Sequence, residues 1–280
     1  MPHFLHAPWN DTGVVMAKSS KYAAKHADAN GFIRYTDEEH AVWRDLIAPQ
    51  RERVRGYACQ EYVDALARME LPDDRIPQCR EVSSILLDYT GWQVVPVPAL
   101  IDFTEFFRLL SEKKFPAASF IRSREDMDYL QEPDIFHEIF GHTPLLTDTR
   151  YADFVAAYGR AGLAAPKEDH VWLARLFWFT VEFGLIARDS KNEVYGAGIV
   201  SSNSELGYSI DSAKPHRRQF DIIDVLRTPY RIDILQTVYF VLQSFDELYE
   251  LANQDLLAAV RRARAMGMRA PTYVLVGSAA

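Results

Sequence analysis

The spacing of hydrophobic positions is helical along most of the chain. Thr36 stands three residues before Glu39, which is the pattern of a capping box, and it predicts a helix that runs to about residue 48. Apolar side chains three and four residues apart predict further helices, and Gly91 is expected to end one of them. These further helices cover about residues 60–69, 77–90, 102–110, 148–161, 170–187, 202–206, 221–226 and 246–264.

Segments with strand character are short. The prolines of residues 94–98 favour an extended conformation and argue against a central strand. Residues 118–121 and 238–242 are predicted strands, and 194–200 is a predicted strand interrupted by glycines. Residues 1–33 show no clear period and are predicted to form an irregular N-terminal arm. The fold expected for residues 34–280 is therefore mainly α: one compact catalytic domain of many helices with small strand pairs.

Composition narrows the class of protein. With 280 residues the chain can bury a large core, and its net charge of −8 argues against nucleic acid or an anionic membrane as a partner. No apolar run approaches the roughly 18 residues needed to span a bilayer, and the N-terminus lacks the pattern of a signal peptide. Two cysteines exclude a disulfide framework. We therefore expect a cytoplasmic protein.

Candidate chemistry is concentrated in residues 132–144. Pro133 predicts the start of a short helix, and Gly141 predicts its end. His137 and His142 lie five residues apart, so on a straight α-helix their rings would point about 140° away from each other. Zinc proteases instead place two histidines four residues apart. We therefore predict a metal site at a helix end, where the break at Gly141 lets His142 turn back toward His137.

Two imidazoles leave a metal ion without enough ligands, so a third ligand is expected elsewhere in the chain. Glu182 is the best candidate, because it lies in the strongly apolar segment 176–186, where an unpaired carboxylate would be costly. Composition alone does not choose between Glu182, Asp134 and Glu138. Two histidines and one carboxylate suit non-haem Fe(II) in a facial triad, but the same ligands can hold catalytic zinc.

Three sequence blocks resemble the pterin-dependent aromatic amino acid hydroxylases. They read PDIxHExxGHxPL at 133–145, WFTVEFGL at 178–185 and YGAGxxSSxxEL at 195–206. Their order and spacing match that family, and the resemblance covers roughly residues 35–250. The chain looks most like the compact bacterial phenylalanine 4-hydroxylases. The resemblance implies a monomer that has no separate regulatory or tetramerisation domain.

The resemblance also implies a role for individual side chains. Fe(II) would be held by His137, His142 and Glu182. The amino acid head group would be bound by Arg122 and Ser201, since a guanidinium can clasp a carboxylate with two hydrogen bonds. The aromatic ring of the substrate would be walled by Pro133, Trp178 and Phe183. The tetrahydropterin would be held by Leu100, Ile101, Phe106 and Glu138, with Phe106 stacked on its ring.

The implied reaction is an Fe(II)- and tetrahydropterin-dependent hydroxylation of L-phenylalanine to L-tyrosine with O2. Trp178 favours phenylalanine, because the tryptophan hydroxylases of this family carry a smaller phenylalanine there. Tryptophan or tyrosine as the substrate, or another ring carbon as the target, stays open. A zinc-dependent hydrolase that uses Glu138 as its general base is the alternative from another class. The expected partners are small molecules only: the amino acid, O2 and the reduced pterin.

Overall fold

The structure is a computed structural model that describes residues 22–97, 101–127 and 132–273. The predicted capping box opens helix α1 (Asp37–Tyr57): the Thr36 hydroxyl accepts from the Glu39 main-chain N–H at 3.2 Å, and the Glu39 carboxylate accepts from the Thr36 N–H at 2.7 Å. The helix does not end near residue 48, as predicted. It continues through Pro49 because Gln50 and Val54 extend its buried face.

Most other predicted helices are confirmed, and they begin within two residues of the predicted positions. Gly91 ends α3 in the left-handed conformation, with φ of 76°, as expected. The helices that follow α1 are α2 (Gln60–Arg68), α3 (Cys79–Thr90), α4 (Phe103–Ser111), α5 (Thr149–Ala164), α6 (His170–Phe177), α7 (Ala197–Val200), α8 (Asn203–Asp211), α9 (Ile222–Arg227), α10 (Asp246–Ala252) and α11 (Leu256–Met266).

Two segments wind as π-helices, which the sequence did not predict. The first, π1, spans His137–His142, and the second, π2, spans Trp178–Glu182 and continues directly from α6. Short 3₁₀ turns are Arg124–Asp126, Pro144–Thr147 and Lys167–Asp169. Both π-helices therefore coincide with the segments that carry the predicted metal ligands.

The strands of the described residues form two small sheets. In the first sheet β1 (Gln93–Val97) runs parallel to β2 (Lys114–Ala118), with Gln93 opposite Lys114. The second sheet has the order β4-β3-β6-β5, in which β3 is antiparallel to β4 and parallel to β6, and β5 is parallel to β6. Its strands are β3 (Gly184–Arg188), β4 (Lys191–Val194), β5 (His216–Gln219) and β6 (Val238–Leu242).

Three further predicted elements differ from the structure in type or extent. The helix predicted at 170–187 ends with π2, and β3 follows because Leu185 pairs with Val241 of a strand far along the chain. The strand predicted at 194–200 is instead the end of β4 and all of α7. The strand predicted at 118–121 lies four residues earlier, in β2.

The final predicted helix, 246–264, is two helices. Asp255 accepts from the main-chain N–H of Ala258 at 2.9 Å and so starts α11 as a separate element. The strand at Val238–Leu242 is confirmed, and all five of its residues are buried. The mainly α fold with small strand pairs is therefore confirmed.

One aromatic-rich core joins the helices to both sheets. It includes Phe107, which meets Tyr158 of α5 at a ring distance of 5.4 Å, and Phe177, which meets Phe106 at 5.4 Å. This core lies directly against the π-helices, because Phe140 and Phe179 belong to it as well. Among the helices that the structure describes, none is long and apolar enough to cross a membrane.

The end of the predicted N-terminal arm lies against the rest of the fold. Residues 1–21 of the predicted arm lie outside the described part of the chain. Tyr22 stacks on Phe120 with 4.6 Å between ring centroids, and the main-chain N–H of Ile33 donates to the Gln78 side chain at 2.8 Å.

Candidate active site

The two histidines of π1 face each other. A π-helix closes hydrogen bonds between residues five apart, which brings such residues to nearly the same side. The Nε2 atoms of His137 and His142 are therefore 3.0 Å apart, with the two rings almost perpendicular. The prediction that the helix ends at Gly141 is wrong, because the wider helix passes through it. Gly141 instead permits close packing: a Cβ there would lie 2.9 Å from the carbonyl oxygen of Ala197.

Glu182, the last residue of π2, brings its carboxylate to the same point. Its Oε1 lies 3.1 Å from His142 Nε2, and its Oε2 lies 3.6 Å from His137 Nε2. The side chain is fully buried, and neither oxygen accepts a hydrogen bond from the described residues. Burying an ionised carboxylate that has no hydrogen-bond donor costs free energy, unless a cation binds it.

Ser201 fixes the tautomer of His137. Its hydroxyl donates its single hydrogen to the carbonyl oxygen of Ala197 at 2.7 Å. The 2.8 Å contact between Ser201 Oγ and His137 Nδ1 must therefore be donated by the imidazole N–H. The proton thus sits on Nδ1, and Nε2 directs a lone pair toward Glu182 and His142. Such an outer hydrogen bond is usual for a histidine that binds a metal.

The spacing of these donor atoms fits one metal ion. Donors about 2.1 Å from one ion lie about 3.0 Å apart when they meet at 90°, and about 3.4 Å apart at the tetrahedral angle. The separations of 3.0 and 3.1 Å around His142 Nε2 are close to the first value, and the 3.6 Å between His137 Nε2 and Glu182 Oε2 is closer to the second. The lone pair of His137 Nε2 and the carboxylate oxygens of Glu182 would face a common cation at this point. The residues therefore fit one metal ion held by two imidazoles and one carboxylate.

A second carboxylate, Glu138, lies beside this group. His137, Glu138 and His142 place one ligand atom each within 4.8 Å of one another, and all three are buried. Burial raises the pKa of Glu138. We favour Glu182 over Glu138 as the ligand, because its Oε1 lies 3.1 Å from His142 Nε2 and its Oε2 lies 3.6 Å from His137 Nε2. The third candidate, Asp134, is already engaged elsewhere.

Asp134 is paired with Arg122. The guanidinium donates from Nε to Oδ2 at 2.8 Å and from Nη2 to Oδ1 at 2.9 Å, and the Arg122 main-chain N–H donates to Oδ2 at 2.9 Å. Burial alone would raise the pKa of Asp134, but Arg122 holds that pKa below its ordinary value. The same carboxylate accepts from the main-chain N–H of His137 at 3.1 Å. Asp134 therefore fixes Arg122 relative to π1.

Aromatic side chains surround the histidines and extend along π2. The Trp178 and Phe183 rings are 4.4 Å apart, so the two predicted wall residues meet. Phe115 lies 4.7 Å from the His142 ring, and Phe177 lies 6.2 Å from it. No sequence pattern assigns a role at the site to Phe115 or Phe177, although Phe177 immediately precedes the second matching block. Pro133, the third predicted wall residue, is buried just before π1.

The residues predicted to bind the pterin come from separate segments of the chain. Phe106 lies on α4 and touches Phe177, which in turn faces His142. Ile101 precedes α4 and is half-buried. Leu100 lies outside the described residues. Gln236, which accepts from the Trp178 indole, was missed because no local pattern around it points to the site.

Two imidazoles and one carboxylate at one buried point, in a mainly α fold, have the ligand set of non-haem iron oxygenases. The family model described as biopterin-dependent aromatic amino acid hydroxylase matches residues 10–263. The chain therefore belongs to the biopterin-dependent aromatic amino acid hydroxylase family.

Individual relatives are similar to this protein in sequence and structure over almost the whole chain. The phenylalanine-4-hydroxylase of Pseudomonas aeruginosa is 50% identical, over 91% of this chain and 97% of the relative. The apo structure of the cold active phenylalanine hydroxylase from Colwellia psychrerythraea has a TM-score of 0.88 at 51% identity, covering 90% of this chain and 97% of that one. The Chromobacterium violaceum phenylalanine hydroxylase with bound Fe(III) has a TM-score of 0.82 at 39% identity, covering 90% and 94%.

Proposed function

We propose that the protein is an Fe(II)- and tetrahydropterin-dependent monooxygenase that converts L-phenylalanine to L-tyrosine with O2. The family assignment and the names of the relatives support this substrate. The observation that carries the proposal is the buried Glu182 carboxylate, which lies beside two imidazole Nε2 atoms and receives no hydrogen bond from the part of the chain that the structure describes.

In this proposal His137, His142 and Glu182 hold the iron. When bound, iron and tetrahydropterin supply the activation of oxygen and the two electrons that the hydroxylation needs. The protein keeps the ligands in place: Ser201 holds the proton of His137 on Nδ1, and π1 and π2 fix the three donors on main-chain segments. The surrounding aromatic rings exclude water from the reacting groups.

Arg122 and Ser201 bind the amino acid head group. Two nitrogens of Arg122, Nε and Nη2, bond to Asp134, and its remaining Nη1 meets the substrate carboxylate. The nearby Pro133, Trp178 and Phe183 wall the substrate ring.

The tetrahydropterin would be held by Ile101, Phe106 and Glu138, with Leu100 as a further predicted contact.

The alternatives predict different products. Trp178 is bulky and buried, which favours a single six-membered ring over an indole. A zinc hydrolase of the protease type would place its two histidines four residues apart, but His137 and His142 lie five residues apart. None of the relatives reported above carries the name of a tryptophan or tyrosine hydroxylase or of a hydrolase.

One assay separates these alternatives. The metal-free protein is reloaded with Fe(II) under argon and then given tetrahydropterin, O2 and phenylalanine, tyrosine or tryptophan in turn. The expected result is 4-hydroxylated phenylalanine as the main product, identified by chromatography and mass spectrometry against standards. Peptidase activity with zinc and no pterin-dependent product would overturn the proposal. A predominant product from tryptophan or tyrosine would correct the substrate.

We further propose that residues 34–280 act as one catalytic unit, that residues 1–33 form an arm, and that the protein works as a monomer in the cytoplasm. The free thiols of Cys59 and Cys79 agree with a reducing compartment. Light scattering on the eluting peak of a sizing column tests the monomer, for which a mass near 32.1 kDa is expected.

A further inference from the structure

The indole of Trp178 is bonded to a residue that lies far along the chain. Its Nε1 donates to the Gln236 side-chain oxygen at 3.0 Å, and both side chains are buried. An indole has only this one donor. The bond therefore selects one orientation of the ring that, in the proposed function, walls the substrate.

Gln236 itself is fixed at three atoms. Its Nε2 donates to the carbonyl oxygens of Arg231 at 2.8 Å and Ile234 at 3.2 Å, so the side-chain oxygen must face the indole. Its main-chain N–H donates to Glu205 Oε1 at 2.9 Å. The Tyr239 hydroxyl donates to the same oxygen. Glu205 on α8 therefore anchors the segment that presents Gln236.

The same segment also covers a face of the indole. The Tyr230 ring stacks on Trp178 with 4.3 Å between centroids and 12° between planes. Trp178 is thus held at its polar edge by Gln236 and on a ring face by Tyr230. Both contacts come from residues 230–236, just before β6.

We propose that Gln236 is a positioning residue that sets the selectivity for the substrate ring. By fixing the Trp178 indole, it keeps the pocket too small for a bicyclic side chain, and Glu205 holds Gln236 in place. The inference rests on the proposed function, since it takes Trp178 as the wall of the substrate pocket. Loss of the bond frees the indole to rotate, and the pocket then admits tryptophan more readily.

The test compares Gln236→Met with the wild type. Methionine has a similar length but offers the indole no comparable acceptor. The ratio of kcat/KM for phenylalanine to kcat/KM for tryptophan is expected to fall about tenfold, the scale of a lost hydrogen bond or a small change of pocket volume. The exposed Gln243→Met is the matched control and should leave the ratio unchanged. Iron content and thermal unfolding are measured for every variant.

A double-mutant cycle separates positioning from general structural damage. In a Trp178→Phe background no indole N–H exists, so adding Gln236→Met should change the ratio less than twofold. An equal fall of the ratio in both backgrounds would overturn the proposal, as would an unchanged ratio in Gln236→Met alone. A wild-type protein without pterin-dependent hydroxylation of any aromatic amino acid would instead refute the proposed function.

If Gln236→Met does not fold, Gln236→Asn serves as the second variant. Its shorter side chain keeps an amide but withdraws the acceptor from the indole N–H, so its ratio should also fall about tenfold. A ratio for Gln236→Asn equal to that of the wild type would overturn the proposal.

Discussion

Two buried carboxylates lie beside the histidines, and they are predicted to differ in their role. Removing Glu182 with Glu182→Ala should abolish iron binding and hydroxylation while the fold is retained, since its oxygens lie 3.1 and 3.6 Å from the Nε2 atoms of His142 and His137. The matched Glu138→Ala should keep bound iron. Metal analysis of the purified, iron-loaded variants and their circular dichroism provide the measurement. Unchanged iron content in Glu182→Ala would refute this ligand assignment.

Ser201 is predicted to raise the affinity for iron, although it is not itself a metal ligand. Ser201→Ala removes the acceptor for the His137 Nδ1 proton, so the imidazole loses its fixed tautomer and orientation. Iron affinity should fall about 10- to 100-fold, as is usual for an outer hydrogen bond of a metal ligand. Competition with a chelator measures that affinity.

Ser209 supplies the control for this change. It is equally buried and bonds to the Leu206 carbonyl oxygen at 2.9 Å, but it has no contact with the ligands. Ser209→Ala should leave iron affinity at the wild-type value. An equal loss in both variants would mean that Ser201 acts through general stability.

At the scale of the element, π1 depends on a hydrogen bond from another helix. The Tyr62 hydroxyl on α2 donates to the Phe140 carbonyl oxygen at 2.6 Å, inside the π-helix. Tyr62→Phe leaves this buried carbonyl without that donor and should lower the free energy of unfolding by about 1–3 kcal/mol. Urea unfolding followed by circular dichroism gives the value.

Tyr57→Phe is the matched control, because the Tyr57 hydroxyl bonds to Asp211 at the surface. Its effect should be about 0.5 kcal/mol or less. If both variants lose the same stability, the Tyr62 bond has no special role in supporting π1.

The elements that the sequence predicted well are those with local signals. Thr36 and Glu39 start α1, and Gly91 ends α3, through bonds among neighbouring residues. The elements that it missed depend on distant partners. Residues 184–188 form a strand because β6 pairs with them, and the local sequence does not predict this pairing.

The same contrast holds at the site. His137, His142 and Glu182 could be picked from ligand chemistry and the resemblance, but how the chain brings them together could not. The five-residue spacing was explained by a helix break, whereas π1 brings the rings together without one. Gln236 could not be predicted at all, since its role depends on the fold around Trp178.

Over the whole molecule, buried titratable groups link stability to pH, and Glu205 gives the clearest case. Burial raises the pKa of Glu205 to about 7, from 4.5 for a free side chain. The folded protein therefore binds a proton more tightly than the unfolded chain does. This contribution is fully present below about pH 4.5 and is lost as the pH rises toward 7.

The expected loss between pH 4.5 and pH 7 is roughly 3 kcal/mol of unfolding free energy, from about 1.4 kcal/mol for each unit of pKa difference. Glu205→Gln keeps an oxygen that accepts from Tyr239 and Gln236 but cannot titrate, so its stability should fall less over the same range. The exposed Glu250→Gln should follow the wild type. Urea unfolding at several pH values measures all three proteins. Parallel curves for wild type and Glu205→Gln would contradict the prediction, because the fold would then hold Glu205 in the same charge state as the unfolded chain.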